Sequence, residues 1–219
     1  MKIGIIAEGW ADVEIIRAIL GRLAGLDRSD MISIRPEEQK DETDLNAKNF
    51  SNWYLVLEEC KREETLIRFF DAFDEERYLV VQIDTAQRGE VGYDVVAPLR
   101  TGNMDWKCYC QALRLNVLEK IKGQIAERYR ERILCAICIE ETDAWLIPLF
   151  EQVKGDTASK ANPKEYLQKL VGGNKKYIAA NKKSLDYVAM GKLLKKNLEQ
   201  CRQGNESLNL FCLEVEGKL

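Results

Sequence analysis

The chain alternates short apolar segments with longer stretches in which apolar residues recur every three or four positions. Four segments are short and rich in Ile, Val and Leu, which predicts strands, at residues 2–7, 31–35, 79–83 and 133–139. The stretches between them have helical spacing, which predicts helices over residues 10–24, 52–73 and 105–131. Strands that alternate with helices favour parallel pairing, so we expect an α/β fold with a mainly parallel, Rossmann-like sheet flanked by helices.

The pattern changes near residue 153. Lysine-rich helices are predicted over residues 162–171, 185–202 and 205–215, with no obvious strand among them. We therefore predict an α/β domain over residues 1–153 and a lysine-rich helical appendage, packed on it, over residues 154–219.

Composition excludes several classes of protein and of chemistry. The 219 residues contain no apolar run long enough to cross a bilayer and no signal-peptide pattern, so we expect a cytoplasmic protein without a membrane partner. The chain has no histidine, which excludes a Ser-His-Asp triad, a Cys-His pair and any zinc site that uses imidazole. Catalysis would have to use carboxylates, Lys, Tyr, Cys or a metal ion.

The seven cysteines are dispersed and odd in number, which favours buried thiols in a reducing compartment over a disulfide framework. Cys135 and Cys138 lie three apart in the apolar segment "ILCAICI", so their side chains should point to opposite faces of a strand. This spacing argues against a zinc site built on them.

Acidic residues follow three of the predicted strands. Glu8 comes after the first, Asp84 after the third, and Glu140, Glu141 and Asp143 after the fourth. The carboxyl ends of parallel strands lie at one edge of a sheet, so we expect these side chains to converge there. Clustered carboxylates repel one another and raise each other's pKa unless a divalent cation neutralises them, and oxygen-only ligands suit Mg²⁺ or Mn²⁺.

A purely structural interpretation also exists for some of these acids. Asp and Glu are favoured in the first turn of a helix, where they complement the helix dipole. That explanation accounts for Asp12, and in part for Asp143, better than a function does, so Asp12 is given only a supporting role.

Two motifs resemble those of Toprim domains, the fold found in topoisomerases, primases and OLD-family nucleases. "AEGWAD" at residues 7–12, followed by a helix, is similar to the first Toprim motif, and the resemblance implies that Glu8 is catalytic. "VVQIDTAQ" at residues 80–87 is similar to the second motif, in which an Asp-x-Asp pair binds Mg²⁺. Asp84 matches the first acid of that pair, whereas Ala86 stands at the second position.

Later segments resemble an uncharacterised Toprim-related family that is often encoded beside ATPases in phage-defence loci. The segments are "IEETDAWLI", "NPKEYLQKLVG", "KKY" and "NESLNLF". The resemblance implies a metal-dependent nuclease that acts as the effector of an anti-phage module with an ATPase partner. Without histidine, proton transfer would rest on carboxylates or on the metal, which favours a high pH optimum.

Charge is divided unevenly along the chain. Residues 1–153 contain 29 Asp and Glu against 20 Lys and Arg, whereas residues 154–219 contain 13 Lys and Arg against 7 Asp and Glu. The basic part could hold a nucleic-acid backbone, DNA or RNA, and the candidate contacts are Lys175, Lys176, Lys182 and Lys183. Arg88 and Lys107, in and after the loop that follows Asp84, are further candidates. The competing interpretation is a solvated lysine-rich helix face.

Three hypotheses from different classes follow. The first is a Toprim-type nuclease that cleaves phosphodiester bonds with Mg²⁺ or Mn²⁺, and the second is a non-catalytic Toprim-like module that binds nucleic acid or protein. The third is a nucleotide enzyme, but the chain has neither Gly-x-Gly-x-x-Gly nor a P-loop. The first two differ in whether Glu90, Asp94, Glu140 or Glu141 fills the place left by Ala86. The substrate, the trigger and the presence of a homo-oligomer are left open.

Overall fold

A computed structural model describes residues 1–37, 51–71, 75–99, 105–152, 154–179 and 184–219. The strands in this part of the chain are β1 (Lys2–Ile6), β2 (Met31–Arg35), β3 (Arg77–Asp84) and β4 (Ile133–Cys138). The α-helices are α1 (Trp10–Leu23), α2 (Trp53–Lys61), α3 (Glu63–Phe70), α4 (Trp106–Gln124), α5 (Pro163–Val171), α6 (Tyr187–Gly204) and α7 (Glu206–Lys218). The four predicted strands are confirmed, as is the helix predicted after the first of them.

Two predicted helices are interrupted. The helix predicted over residues 52–73 is divided at Arg62, which adopts an extended conformation (φ −72°, ψ 90°) between α2 and α3. The helix predicted over residues 105–131 ends at Gln124, because Ile125 turns to an extended conformation and is only 2% exposed. A 3₁₀ segment, Glu127–Arg132, then leads into β4. Hydrophobic spacing alone does not predict a break of one or two residues, because such a break depends on tertiary packing.

The sheet is entirely parallel, as predicted, and its strand order is β2-β1-β3-β4. Every carboxyl end therefore points to the same edge of the sheet. The central position of β1 and β3 brings the segments after them next to each other, and the segment after β4 adjoins that of β3. This edge is where ligands bind in open α/β sheets.

Each face of the sheet has its own apolar core. One core is formed with α1, α5, α6 and α7, and the other with α2, α3 and α4. Cys138 belongs to the first core and Cys135 to the second, which confirms that they point to opposite faces. Six cysteines are buried, whereas Cys108 is exposed, so the expectation of buried thiols is wrong at that position. Cys108 lies in the first turn of α4 on its solvent side.

The C-terminal helices complete the first core and cover one edge of the sheet. Helix α6 packs along α1, and α7 packs against β4. The Glu214 carboxylate of α7 accepts a hydrogen bond from the Cys135 N–H (3.0 Å), and Lys218 donates to the Ile133 carbonyl (2.6 Å). These contacts satisfy backbone groups on the outer side of β4 that would otherwise be available to another strand. The division at residue 153 stays a prediction.

No helix among the described residues combines the length and the apolar character that crossing a membrane requires.

Candidate functional site: a carboxylate cluster at the carboxyl edge of the sheet

Glu8 lies between β1 and α1, and both its side chain and its backbone N–H form hydrogen bonds with residues of β3. Its Oε1 accepts a hydrogen bond from the backbone N–H of Asp84 (2.7 Å), and its own N–H donates to Oε1 of Gln82 (2.9 Å). The side chain therefore bridges the ends of two adjacent strands, as predicted from the position of Glu8 at a strand-to-helix junction. The structure brings Glu8 and Asp84 into contact.

Gln82 organises this contact, although it was not among the residues predicted to form the site. It is fully buried, and its Nε2 donates to Oδ1 of Asp84 (2.8 Å) and to Oγ1 of Thr142 (3.1 Å). Thr142 in turn lies 3.3 Å from the same Asp84 oxygen. A buried side-chain amide is costly to the folded state unless its polar atoms have hydrogen-bond partners, and Gln82 has them. The signal was present in the sequence, since Gln82 is the polar residue within the apolar run "LVVQI".

Two acids that were explained as helix-start residues lie within this cluster. Asp12 is in the first turn of α1, and the charge of Asp143 contributes to its raised pKa. Asp143 is 8% exposed, and its Oδ1 accepts a hydrogen bond from the Tyr187 hydroxyl (2.7 Å). Placement at a helix start explains the local conformation, whereas tertiary packing decides which acids each side chain faces.

Glu140 and Glu141 point in different directions, although they are neighbours in the chain. Glu140 has a positive φ of 61°, and its carboxylate pairs with the Arg88 guanidinium at 3.3 Å. Glu141 accepts a hydrogen bond from the Lys164 N–H (3.1 Å), and its charge raises the pKa of Asp84. The structure therefore brings Glu141 into the cluster and places Glu140 in an ion pair beside it.

The other acids considered for the place left by Ala86 are engaged elsewhere. Glu90 accepts a hydrogen bond from the indole N–H of Trp53 (3.0 Å), and Asp94 accepts one from the Gly92 N–H (3.0 Å). Of the four acids considered, Glu141 is the one whose charge acts on Asp84. We define the carboxylate cluster as Glu8, Asp12, Asp84, Glu141 and Asp143.

Burial is the main reason why this cluster has unusual acidities. The pKa of Glu8 is raised to about 8, mainly by burial and in part by the charge of Asp12, while the hydrogen bond from the Asp84 N–H opposes the change. Burial also raises the pKa of Asp12 to about 6. The pKa of Asp84 is raised well above its ordinary value by burial and then by the charges of Asp12 and Glu8. At neutral pH the cluster therefore favours an added proton or cation over full ionisation.

Asp143 has a raised pKa for the same reason. Burial is the largest cause, while the hydrogen bond from Tyr187 and the charge of Lys164 oppose it and the charge of Glu141 adds to it. Lys164, at the start of α5, also lowers the pKa of Asp12. Lys164 is therefore a basic residue near the cluster that was not among the predicted site residues.

The cluster fits Mg²⁺ or Mn²⁺ in the chemistry of its ligands, since all of them are carboxylate oxygens. Oε1 of Glu8 and Oδ1 of Asp84 already accept hydrogen bonds from protein donors, and the backbone N–H of Trp53 is a further donor to the Glu8 carboxylate. Within the described ranges, no three Asp, Glu or Cys side chains are placed so that they could hold a metal ion. Binding would therefore require these side chains to move closer together.

The basic residues predicted to contact nucleic acid are scattered. Lys175 and Lys176 are exposed in the 3₁₀ turn Lys175–Tyr177, and Lys107 is exposed in the first turn of α4. Arg88 lies near the cluster, but it pairs with Glu140. Lys182 and Lys183 lie outside the described residues.

A large cleft that the described residues line is not at the cluster. It measures about 910 Å³ and lies between the edge strand β2 and α3. Its walls carry charges of both signs, and Glu59 there pairs with Arg35 and Arg62. This mixture favours neither anions nor cations, so the carboxylate cluster is the better candidate for a functional site.

The fold and the cluster define a parallel α/β protein with interacting acids at the carboxyl edge of its sheet. Comparisons with protein-family models, with curated proteins and with solved structures gave no match. The resemblance to Toprim domains therefore rests on the quoted motifs and stays a prediction.

Proposed function

We propose that this protein is a metal-dependent nuclease that cleaves phosphodiester bonds at the carboxylate cluster. The observation that carries the proposal is that Glu8, Asp84 and Glu141 lie at the ends of three adjacent strands, in an environment that raises the pKa of Glu8 and of Asp84. Groups with strongly perturbed pKa values often mark functional sites. The resemblance of the flanking motifs to Toprim domains supports the same function.

In this proposal Glu8 and Asp84 are the catalytic residues and metal ligands, and Glu141 takes the place that Ala86 leaves. Asp12 and Asp143 supply further negative charge. Mg²⁺ or Mn²⁺ bound there would neutralise the carboxylates, polarise the scissile phosphate and stabilise the leaving oxygen.

The residues of the chain itself would position and transfer protons. Gln82 restrains Asp84 through a hydrogen bond of 2.8 Å, so that one carboxylate oxygen stays directed into the strand and the other is available. In the alternative role of an acid or base, without a metal ion on its carboxylate, Glu8 holds a proton at neutral pH because its pKa is about 8, and it can exchange this proton with a reacting group. A base of that pKa agrees with the high pH optimum expected for a protein without histidine.

A cleavage assay tests the proposal directly. The purified chain is incubated with plasmid, single-stranded DNA and tRNA, each with Mg²⁺, Mn²⁺ or EDTA. We expect cleavage of at least one substrate with metal and none with EDTA. Glu8→Gln and Asp84→Asn should each reduce the rate by about 10²- to 10⁴-fold, the usual contribution of a positioned acid or base.

Glu90→Gln is the matched control, because Glu90 lies outside the cluster and a Gln oxygen can still accept the hydrogen bond from Trp53. It should cleave at the wild-type rate. Equal rates for Glu8→Gln and Glu90→Gln would refute the assignment of the site. An ATPase partner, proposed from the resemblance alone, predicts weak or no cleavage by the isolated chain and strong cleavage after the ATPase is added.

A second candidate function is a binding module without catalysis. It is favoured by Ala86 at the second position of the Toprim pair and by the engagement of Oε1 of Glu8 and Oδ1 of Asp84 with protein donors. This alternative predicts nucleic-acid or protein binding that survives Asp84→Asn, with no cleavage under any metal condition.

A further inference from the structure

A basic groove lies between the 3₁₀ turn Lys175–Tyr177 and the first half of α6. It measures about 340 Å³ and is lined by Lys176, Lys192 and Lys196, together with Val188, Leu193 and Asp186. The three lysines come from two separate elements, so their proximity depends on tertiary structure. Lys192 and Lys196 are four apart on α6, which places their Cβ atoms about 5–6 Å from each other.

The positive charge of this groove is not neutralised locally. In the described part of the chain, Lys160 and Lys218 form ion pairs, whereas the three groove lysines form none. Asp186 is the acid that lines the groove, and its carboxylate accepts a hydrogen bond from the Ala189 N–H at the start of α6. The groove therefore presents three lysines against one carboxylate.

The basic surface continues beyond the groove. A neighbouring concavity of about 280 Å³ shares Val188 and Lys192 with it and adds Lys195. Arg28 also borders this second concavity, but its guanidinium pairs with Glu14 at 2.7 Å. Glu14 and Asp27 also line this concavity, so the basic surface that continues from the groove consists of the α6 lysines Lys192, Lys195 and Lys196.

This surface begins beside the carboxylate cluster. Tyr187, the first residue of α6, donates its hydroxyl hydrogen bond to Asp143 of the cluster at 2.7 Å. Val188, the next residue, is 48% exposed and lines the groove. An extended ligand bound along α6 would therefore reach the cluster at the N-terminal end of that helix.

We propose that the basic groove binds the sugar-phosphate backbone of a nucleic acid and leads it to the carboxylate cluster. The role of the groove in leading a substrate to the cluster rests on the proposed nuclease function, whereas the binding of nucleic acid in the groove does not. Several lysines spaced along a helix suit a polyanion with repeated phosphates, and the exposed side chain of Val188 offers an apolar contact for a sugar. Lys192 and Lys196 are thereby added to Lys176 as predicted backbone contacts.

The test compares two triple variants of the full chain. The groove variant is Lys176→Gln, Lys192→Gln and Lys196→Gln. The control variant makes the same change in net charge through Lys61→Gln, Lys120→Gln and Lys122→Gln, on helices α2 and α4 at the opposite face of the sheet. Binding to labelled single-stranded and duplex oligonucleotides is measured by fluorescence anisotropy in EDTA over a series of salt concentrations, so that cleavage cannot contribute.

We expect the groove variant to bind about tenfold more weakly or worse, with a smaller slope of log K against log salt, since each phosphate contact contributes about 0.7 to 0.9 to that slope. The control variant should bind within about twofold of wild type, because scattered surface charge contributes little to a local backbone contact. Replacing the three groove lysines with arginine should preserve binding. The three groove lysines are exposed, so unchanged melting temperatures are expected and are checked for every variant.

The outcomes separate this inference from the proposed function. Equal binding by the groove and control variants would overturn the groove, even if metal-dependent cleavage is observed. Competition by polyglutamate as effective as competition by nucleic acid at equal charge would also overturn it, and would favour an acidic protein as the partner. Loss of binding in the groove variant, together with a wild-type chain that cleaves nothing with or without an added ATPase, would support the groove and refute the nuclease.

Discussion

Replacing Glu8 with Gln should stabilise the protein in the absence of metal, although it removes a residue of the proposed active site. The substitution is nearly isosteric, and the Gln oxygen can still accept the hydrogen bond that the Asp84 N–H now donates to Glu8 at 2.7 Å. What it removes is one negative charge from a half-buried group of acids. A stabilising effect of this kind is common where function has selected a strained or repulsive site.

The size of the effect follows from the raised pKa of Glu8. Its ordinary value is 4.5, and the folded protein raises it to about 8. Each unit of pKa is worth about 1.4 kcal/mol, so ionising Glu8 above pH 8 costs the folded state at most about 5 kcal/mol. Relaxation of the site and bound ions reduce this amount, and we expect roughly 2 to 5 kcal/mol, which corresponds to about 5 to 15 °C in Tm for a chain of this length.

The direction of the pH dependence is defined by the same shift. Between pH 4.5 and about 8 the folded state holds a proton on Glu8 that the unfolded state has lost, so the free energy of unfolding falls as the pH rises through this window. Below pH 4.5 the carboxyl is protonated in both states, and wild type and Glu8→Gln should have similar stability. The advantage of the variant should reach its full size above pH 8.

Thermal unfolding in EDTA at several pH values, with Glu90→Gln as the control, measures this effect. Adding Mg²⁺ at pH 8.5, with ionic strength matched by NaCl, should raise the Tm of wild type more than that of Glu8→Gln if the cluster binds the cation. A lower Tm for Glu8→Gln at pH 8.5 in EDTA would refute the electrostatic argument. An advantage that is the same at every pH would refute it equally.

Two further predictions concern hydrogen bonds that anchor the site and the sheet edge. Gln82→Leu should lower the free energy of unfolding by roughly 2 to 5 kcal/mol, because it removes the acceptor of the Glu8 N–H and the hydrogen bonds to Asp84 and Thr142, at about 1 to 3 kcal/mol for each buried group affected. Urea unfolding measures it, and a change below about 1 kcal/mol would contradict the anchoring role. Glu214→Leu should cost roughly 2 to 4 kcal/mol and promote aggregation, because the Cys135 N–H at the edge of the sheet loses its acceptor. Glu214→Gln keeps an acceptor and should be milder in urea unfolding and light scattering, and equal effects of the two substitutions would argue against edge protection.

The local pattern of the chain was sufficient to predict the strands and the edge of the sheet at which the acids lie. Short apolar segments and helical spacing identify β1 to β4 and α1, since backbone conformation there agrees with side-chain periodicity. Parallel pairing then brings every carboxyl end to one edge, which is why the contact between Glu8 and Asp84 could be expected. These features depend on residues close in sequence and on one general rule of topology.

Which side chains enter the site was decided by contacts between distant segments. The positive φ of Glu140 turns its carboxylate to Arg88 and leaves Glu141 to face the cluster, and no periodicity distinguishes two adjacent glutamates. The partners of Gln82 come from segments up to 74 residues away. A side chain's direction in an irregular segment, and the partner of a buried amide, depend on where other elements pack.

The sequence by itself therefore determined the α/β class of this protein and the edge of the sheet at which its acids gather. Only the tertiary structure decided that Asp12 belongs to that group and that Lys176 and Lys192, from separate elements, share one groove. The physical reason is that secondary structure follows from local periodicity, whereas burial, pKa shifts and charge surfaces are sums over neighbours that the chain brings together from far apart.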